Sequence, residues 1–466
     1  MSRSRRTRLI PATATINSSG SGEFMKRNCR VSGLVVLAAL AFLGLARVET
    51  AQESSSSSAH PNQVLEWNQI FIDTLVFTNT ANSSSQRLGA IVHTAMFDAY
   101  NGIDRRYTPI FVDGTAPNGA SRRAAVIAAA HTALVGLFPT RQTALDESYS
   151  MSLAALSAAC ERSGRLHGRR SCATAIERGV AWGTEVAHVV LGWRANDGFS
   201  MSRPPFSGGT AVGQWRPVPP ATTMSAQGLA FTVPFVLADS SQFRPAPPRG
   251  LSSSTYTDDF NAVKSLGRQT GSTRTEDQTA LAPFWEGNAS VHWNQAANQI
   301  ASANHLSIAH SNRLLAVLNI AMADTAVTVW SAKRHYGADP MEVTWRPATS
   351  IPLADTDSNP ETAPDASWTP HVTTPSHPEY PAGHPSLNGA AATVLLTYFH
   401  RRQTFKLTTN GRPDRTYTSI TQARSDGNNA RVWGGMHYPS TVDISDTLGE
   451  KIATYVNEHS MTRRRR

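Results

Sequence analysis

Two histidines stand close to prolines, at the start of apolar helical patterns. His384 ends the stretch PEYPAGH and is followed by Pro385 and a long apolar run. His437 lies in RVWGGMHYPS and is followed by Pro439 and by apolar residues four apart. Proline favours the first helical position, which places both histidines at helix N-termini. Free N–H groups and the positive end of the helix dipole favour an anion there.

Three fixed cations accompany these histidines, one in the His437 segment and two in a third segment of the chain. Lys333 and Arg346 lie in KRHYGADPMEVTWRP, and Arg431 precedes His437 by six residues. Gly383, like the two glycines after Arg431, allows a ligand to approach the main chain closely. Ammonium and guanidinium groups that converge on helix starts attract a tetrahedral oxyanion such as phosphate or vanadate. One imidazole can then attack or ligate the central atom while the other moves protons to and from an outer oxygen.

Helical periodicity dominates from Val64 onward, so helices must position these segments. No extended strand alternation, internal repeat or heptad run interrupts it, but two long irregular stretches do, 198–248 and 356–376. Long loops of this kind are usually functional or shape the rim of a cavity. The predicted fold class is all-α: a helical bundle, expected as two packed bundles in one large domain, with long Pro- and Gly-rich loops. The predicted helical spans include 87–100, 122–138, 141–158, 173–193, 258–266, 276–285 and 312–330.

The N-terminal region has the layout of a secretory signal peptide. Within a leader of residues 1–51, the stretch 25–46 has a cationic start, a 12-residue apolar run and small residues at a cleavage-like spacing. The apolar run is short for a membrane span, although a single-pass N-terminal anchor is the alternative. We therefore expect an exported protein, periplasmic or secreted, with no membrane span in the mature chain. The domain order would be a Ser-rich linker at 52–63, an all-α domain at 64–460 and a basic tail at 461–466.

The formal net charge of +9 does not indicate a nucleic-acid partner. Residues 1–51 contain eight of the 43 Lys and Arg residues but only two of the 34 Asp and Glu residues, which leaves +3 for the rest. The four arginines at 463–466 account for more than this remainder. Because no basic stripe with interleaved aromatic residues is present, we expect no nucleic-acid binding.

Two cysteines remain after the leader. Cys160 and Cys172 flank an 11-residue polar stretch between two Ala-rich helical patterns. In an oxidising compartment such a pair is expected to form a disulfide, and two free thiols are the alternative. Neither cysteine lies in a metal-ligand pattern, so no further chemistry is assigned to them.

The three polar segments together resemble the superfamily of vanadium-dependent haloperoxidases and type 2 phosphatidic acid phosphatases. Its pattern is a Lys, then Arg-Pro, then Pro-Ser-Gly-His, then an Arg with a His six residues later. The stretches WNQIFIDTLV, IVHTAMFDAYNGIDRRYTP and LNIAMADTAVTVWSAKRHY look like the long, exported bacterial haloperoxidase-like branch. The resemblance extends over nearly the whole mature chain. The positions that match the pattern are Lys333, Arg346-Pro347, Pro381-Ala382-Gly383-His384, Arg431 and His437.

The resemblance implies a role for each matched residue. The equatorial oxygens of vanadate would be held by the three cations and by the backbone N–H of Gly383. His437 would be the axial vanadium ligand, or the nucleophile in a phosphatase, and His384 would be the general acid–base. His377 occupies a position that lines the halide side of the pocket, and a histidine there is similar to bromide-oxidising members. The implied oxyanion ligands are therefore Lys333, Arg346, Gly383 and Arg431.

Two departures from the pattern concern the oxyanion ligands. Ala382 stands where the family has Ser, which removes one hydrogen bond to the anion worth about 1.5–3 kcal/mol. Lys333 lies 13 residues before Arg346, a longer spacing than the family has, because GADPME lies between them like an inserted loop. Arg334 is therefore the alternative to Lys333 as the first cation.

A third departure concerns the orientation of His437. The acid expected four residues later is replaced by Thr441. Asp443 lies two residues further along and is predicted to orient the ring instead.

The resemblance supports three functional hypotheses. The first is a vanadate-dependent haloperoxidase that uses hydrogen peroxide to oxidise a halide, bromide rather than chloride, with a small-molecule acceptor. The alternative is an acid phosphatase that acts through a phosphohistidine at His437, with phosphate as substrate or competitor. The third is a non-catalytic or degenerate oxyanion-binding protein. The long N-terminal helical half favours the first, because short soluble phosphatases of the superfamily lack it and the lipid phosphatases carry several transmembrane helices.

Overall fold

The computed structural model describes residues 62–163 and 169–464. The predicted leader and signal segment, and nearly all of the predicted Ser-rich linker, lie outside the described residues. These described residues form one compact unit.

The described chain is helical, as predicted, with thirteen α-helices and one short hairpin. The hairpin pairs Phe405 with Tyr417 and Leu407 with Arg415 in antiparallel register, with three residues in each strand. Its strands are β1 (Phe405–Leu407) and β2 (Arg415–Tyr417). The helices are α1 (Gln63–Phe77), α2 (Asn82–Asp104), α3 (Arg122–Leu137), α4 (Gln142–Ser163), α5 (Arg169–Ala195), α6 (Ser254–Leu266), α7 (Glu276–Phe284), α8 (Ala289–Ala303), α9 (Ile308–Ala338), α10 (Pro347–Ser350), α11 (Gly383–Tyr398), α12 (Ile420–Trp433) and α13 (Pro439–His459).

Side-chain caps explain where many helices begin. A Ser, Thr or Asn oxygen that accepts a first-turn N–H group satisfies a donor that has no partner within the helix. At the start of α7, Thr275 and Gln278 form a reciprocal capping box. Ser307 extends α9 four residues before its predicted start at 312. The other side-chain caps are Asn62, Ser121, Ser253, Asn288 and Ser419.

Helix α9 is the central element of the fold. It packs against α2 on one side and against α11 and α13 on the other. Among the described residues, α9 is the one helix that is by itself long and apolar enough to cross a membrane. The most apolar part of α9 is entirely buried within the protein. It is a core helix here, since the neighbouring helices cover it all round.

The closest contact near the site joins α11 and α13. A Cβ atom on Gly449 would lie 1.8 Å from the carbonyl oxygen of Ser386, and one on Gly389 would lie 2.2 Å from that of Asp446. Glycine at both positions therefore lets the two backbones meet directly. Because α11 begins at Gly383 and α13 begins just after His437, this contact brings the two predicted histidine segments together.

The two long loops contribute to a cavity rim, as their composition predicted. Residues 198–248 are irregular apart from a short 3₁₀ turn, Gln227–Phe231. Asp324 in α9 anchors this loop, because its carboxylate accepts the backbone N–H groups of Phe235, Val236 and Leu237 at 2.6–3.1 Å. The loop is thereby held against the central helix, and the second loop supplies further rim residues described below.

The predicted disulfide between Cys160 and Cys172 is present and joins α4 to α5. The two cysteines are 12 residues apart in the chain. Closing a loop of this size restricts the unfolded chain more than the folded one.

Replacing both cysteines by serine is expected to lower the free energy of unfolding by about 3 kcal/mol, because the unfolded chain regains its loop entropy. Urea denaturation of the double variant and of wild type measures the difference. Wild type in reducing agent is the control and should match the variant. Equal midpoints for oxidised wild type and the double variant would contradict the prediction.

Candidate active site

A cavity of about 230 Å³ opens where α2, α11 and α12 meet the long loops. Five of the residues predicted from the sequence line it: His377, Gly383, His384, Arg431 and His437. Lys333 and Arg346 are fully buried behind this lining. The Arg346 side chain contacts His437 of the cavity wall, whereas that of Lys333 contacts the main chain of the segment just before Gly383. The remaining lining residues are Asn82, Ser83, Ser225, Glu286, Trp330, Thr373, Pro375 and Met436.

The turn after α12 folds His437 back beside Arg431. Gly435 has a φ of +76°, and a Cβ there would lie 2.5 Å from the carbonyl oxygen of Gly267, so only glycine fits. The backbone N–H groups of Met436 and His437 both donate to the Arg431 carbonyl, at 3.0 and 3.3 Å. The Arg431 side chain is buried, and one of its amino groups contacts the sulfur of Met436 at 2.8 Å.

The ring of His437 is fixed at both nitrogens. Its Nδ1 donates to Oε1 of Glu379 at 2.8 Å, because a carboxylate only accepts. Its Nε2 accepts from Nη1 of Arg346 at 2.9 Å, because a guanidinium only donates. His437 is therefore a neutral imidazole with the proton on Nδ1 and a lone pair on Nε2.

The acid that orients His437 is Glu379, which corrects the prediction of Asp443. Glu379 also accepts from the backbone N–H of Tyr438 at 3.2 Å and from the hydroxyl of Thr441 at 3.0 Å. Asp443 is exposed and lines a different groove, because two residues past Thr441 the helix has turned away from His437. Thr441 thus stands where an acid was expected from the resemblance. Its hydroxyl donates to Glu379, an acid that comes from another segment.

Lys333, rather than its alternative Arg334, faces the site. The Nζ of Lys333 donates to the carbonyl oxygens of Pro378 and Glu379 at 2.5 and 3.1 Å. The guanidinium of Arg334 lies instead over the ring of Phe206, 4.2 Å from its centroid. The neighbouring residue on a helix points about 100° away, so only one of the two cations can reach the site.

Arg346 joins two of the three histidines of the cavity wall, His377 and His437. Its Nη2 donates to Nδ1 of His377 at 2.7 Å, and its Nε donates to the His377 carbonyl at 3.0 Å. Nη1 reaches the Met436 carbonyl at 2.7 Å in addition to His437. The His377 ring packs against Trp330 with centroids 5.2 Å apart. Because Nδ1 of His377 accepts, its ring proton lies on Nε2.

Burial dominates the electrostatics of the site. It lowers the pKa of Lys333 well below its usual value, helped by the neighbouring charges of Arg346 and Arg431. It lowers the pKa values of His384 and His437 well below 6.5 for the same reasons. Burial also raises the pKa of Glu379 to about 7, against the opposing effect of Arg346 and Lys333. The site therefore holds more positive than negative charge in a region with little water.

His384 contacts two segments that precede α9 in the chain. Its Nε2 lies 3.3 Å from Nδ2 of Asn82 in α2 and 3.2 Å from the carbonyl oxygen of Gly287, between α7 and α8. Burial lowers its pKa, and the positive charge of Arg431 lowers it further. A neutral imidazole on the cavity wall can accept a proton from a bound reactant.

The donors that line the cavity suit a tetrahedral oxyanion. Nε and Nη1 of Arg431 are buried and make no hydrogen bond to the described residues. The N–H of Gly383 belongs to the first turn of α11, which has no acceptor within the helix. Unpaired buried donors cost about 1–3 kcal/mol each, more when charged, so an anion that satisfied them would bind favourably. Vanadate and phosphate both fit this donor set.

Sequence reasoning missed Glu379, Glu286 and Asn82. Glu379 lies in the same PEYPAGH stretch as His384. An acidic residue among residues predicted to bind an anion is unusual, and this feature of the sequence could have revealed it. Glu286 stands at the cavity mouth, where it is exposed and raises the pKa of Arg431 against the larger effect of burial. Asn82 is more than 200 residues from any predicted site residue, and no local pattern marks it.

Comparison with known families and structures shows which proteins this chain resembles. Residues 313–465 match the family model described as the VCPO second helical-bundle domain. A search of curated proteins found no match. Over this part of the chain, the match supports the resemblance to vanadium-dependent haloperoxidases that the sequence predicted.

Solved structures with the same fold are vanadium-dependent haloperoxidases. A bacterial vanadium-dependent iodoperoxidase has a TM-score of 0.70 and 20% identity, covering 87% of this chain and 98% of that one. The apo form of a bacterial vanadium-dependent chloroperoxidase has a TM-score of 0.62 and 18% identity, covering 81% of this chain and 94% of its own. Its holo form has a TM-score of 0.61 and 17% identity, covering 81% and 91%. At these identities the comparison establishes the fold.

The assignment of Glu379 can be tested by stability. Glu379→Ala removes the acceptor of three buried donors and the carboxylate among buried cations, so the free energy of unfolding should fall by about 3–5 kcal/mol. Asp443→Ala is the matched control and should change it by no more than about 0.5 kcal/mol. Urea denaturation at neutral pH measures both. Equal effects of the two substitutions would contradict the assignment.

The lowered pKa of Lys333 predicts that anion binding takes up a proton. A bound oxyanion stabilises the charged ammonium, so the bound state holds more protons and affinity falls as pH rises. Sulfate is a suitable probe because it remains a dianion at neutral and alkaline pH, so any proton uptake on binding belongs to the protein. Calorimetry should show affinity falling by up to about tenfold per pH unit, and Lys333→Met should reduce this dependence. An affinity independent of pH in wild type would refute the prediction.

Proposed function

We propose that this protein is a vanadate-dependent haloperoxidase. The reaction converts hydrogen peroxide, a halide ion and a proton into hypohalous acid and water, and bromide is the proposed halide in preference to chloride. The observation that carries the proposal is the pair of unpartnered N–H groups on buried Arg431, beside a His437 ring whose Nε2 is kept free of a proton. Anion donors and a metal-ligating nitrogen therefore meet in one cavity.

In this proposal His437 is the ligand to vanadium. Histidine binds a metal through an unprotonated nitrogen, and a carboxylate on the other nitrogen fixes the tautomer and increases the basicity of the ligand. Glu379 supplies that carboxylate at 2.8 Å. Bound vanadate would supply a Lewis-acidic centre that activates hydrogen peroxide for attack by halide, without a change in the redox state of the metal.

The oxyanion oxygens would be held by Arg431, the Gly383 N–H and Arg346. Arg346 already contacts Nε2 of His437, so an oxyanion at this nitrogen would be within reach of its guanidinium. Lys333 is buried behind the residues that line the cavity and would add positive potential inside it. A region of low dielectric screens this potential only weakly. Charge-assisted hydrogen bonds of this kind compensate for the serine hydroxyl that Ala382 lacks.

His384 would act as the general acid–base. Its neutral state and its place on the cavity wall allow it to take a proton from bound hydrogen peroxide and return it to a leaving oxygen. His377 would stand on the halide side, and its Nε2–H provides a hydrogen-bond donor for the incoming anion. A polar ring there supports oxidation of bromide rather than chloride.

Export to the periplasm or medium completes the proposal. A disulfide persists in an oxidising compartment, and Cys160–Cys172 is one. A hypohalous product released outside the cell would meet small organic acceptors there.

The test is to load the mature protein with orthovanadate and measure peroxide-dependent oxidation of iodide, bromide and chloride. We expect bromide to be oxidised and the activity to fall by at least about a thousandfold in His437→Ala, because that variant loses the vanadium ligand. Asp443→Ala is the matched control and should keep wild-type activity.

The same preparation distinguishes the alternative functions. Hydrolysis of a phosphomonoester by the vanadate-free protein, inhibited by vanadate and without halide oxidation, would overturn the proposal in favour of a phosphatase. Tight vanadate binding without either reaction would overturn it in favour of a non-catalytic oxyanion-binding protein.

A further inference from the structure

Asn82 links three helix starts at the edge of the cavity. It is the first residue of α2, its side chain reaches the first turn of α8, and its amide nitrogen meets His384 at the start of α11. The junction is rigid, because Asn288 at the α8 N-cap donates to the hydroxyl of Ser85 at 2.6 Å and to the carbonyl of Thr80 at 3.1 Å. Asn82 therefore lies at a fixed position relative to the acid–base histidine.

The orientation of the Asn82 amide is determined by its surroundings. Its Oδ1 accepts the backbone N–H of Ala289 at 2.9 Å and the amide of Gln86 at 3.0 Å. A flipped amide would turn its NH₂ group toward the Ala289 N–H, so that two donors would face each other. The NH₂ group must therefore point toward His384.

Nε2 of His384 thus lies between a fixed donor and a fixed acceptor. Without a proton it accepts from Asn82 at 3.3 Å, and with a proton it donates to the Gly287 carbonyl at 3.2 Å. The Asn82 amide is bound to Ala289, two residues after Gly287. The distance between the Asn82 amide and the Gly287 carbonyl is therefore fixed. The ring can gain or lose a proton on Nε2 without moving, because each protonation state has its own partner.

We infer that Asn82 is a positioning residue that places the proton of neutral His384 on Nδ1 and leaves Nε2 unprotonated. The Gly287 carbonyl then receives Nε2–H when the ring becomes an imidazolium during turnover. This inference deepens the proposed function and relies on it for the acid–base role of His384. A carboxylate in place of Asn82 would reverse the preference, because it accepts where the amide donates.

The other charged and titratable groups around His384 do not determine this choice. Arg431 faces it from α12, His292 from α8 and Glu286 from the segment between α7 and α8. His377 and His437 line other walls of the same cavity. No contact of 3.5 Å or less is found between these side chains and Nε2 of His384 in the described chain. The backbone of Glu286 adds a second main-chain acceptor beside the Gly287 carbonyl, so Asn82 supplies the side-chain donor.

The direct test is the tautomer of His384, measured by long-range ¹H–¹⁵N NMR on vanadate-free protein with labelled histidine. The resonances are assigned as those missing from His384→Gln. In wild type at neutral pH we expect the proton on Nδ1, and in Asn82→Asp we expect it on Nε2. The aspartate keeps an acceptor for the Ala289 N–H. Asn82→Ala is a second variant that should also favour Nε2–H, because main-chain carbonyl acceptors then remain at the ring without the amide donor.

A proton on Nε2 in wild type, or the same tautomer in wild type and in a folded Asn82 variant, would overturn the inference. This measurement needs no turnover, so it decides the inference even if wild type oxidises no halide and the proposed function fails.

The pH profile of halide oxidation gives an independent readout if the enzyme is active. Asn82→Asp should move the acidic limb upward by about one pH unit, because a carboxylate near Nε2 stabilises the imidazolium. Ser84→Ala, in the same turn of α2 but outside the cavity lining, is the matched control and should leave the limb in place. Equal limbs in wild type and Asn82→Asp would contradict the inference, since a structural role alone would lower the rate without moving the pH profile.

Discussion

The structure depends on burying three cations and three histidines around one small cavity, with a single fully buried carboxylate among them. Taking charges out of water is costly, and the attraction of one carboxylate cannot balance three cations. The protein compensates in part with dipoles: Lys333 is held by two main-chain carbonyls, and Arg346 by two more and two imidazoles. Arg431 is left with unpaired donors, so an anion is the missing partner.

The same charge imbalance explains the state of the histidines. Burial and nearby cations both disfavour imidazolium, which lowers the pKa values of His384 and His437 and keeps both rings neutral. Glu379 does not reverse this at His437, because it is itself buried, with its pKa raised to about 7. Its role is to fix the ring and its tautomer, so that the lone pair on Nε2 has one orientation.

The site is shared between distant parts of the chain. Residues 313–465, which match the family model, supply the cations, His384 and His437. Asn82 from α2, Glu286 before α8 and Ser225 from the long loop supply much of the opposite side. Segments that precede α9 therefore contribute to the cavity as well as to the core, because the groups around Nε2 of His384 come from α2 and from the segment between α7 and α8.

The sequence by itself determined the helical class, the disulfide pair and the residue types of the site, because these depend on local periodicity and on short motifs. Which of Lys333 and Arg334 faces the site was decided by how α9 is rotated about its axis relative to the neighbouring segments. The orienting acid needed the tertiary structure too, because Glu379 and His437 are 58 residues apart and meet only when α11 and α13 pack through Gly389 and Gly449. The contact between Asn82 and His384 was decided by tertiary structure alone. Hydrogen bonds between distant segments depend on positions in space that no local sequence pattern encodes.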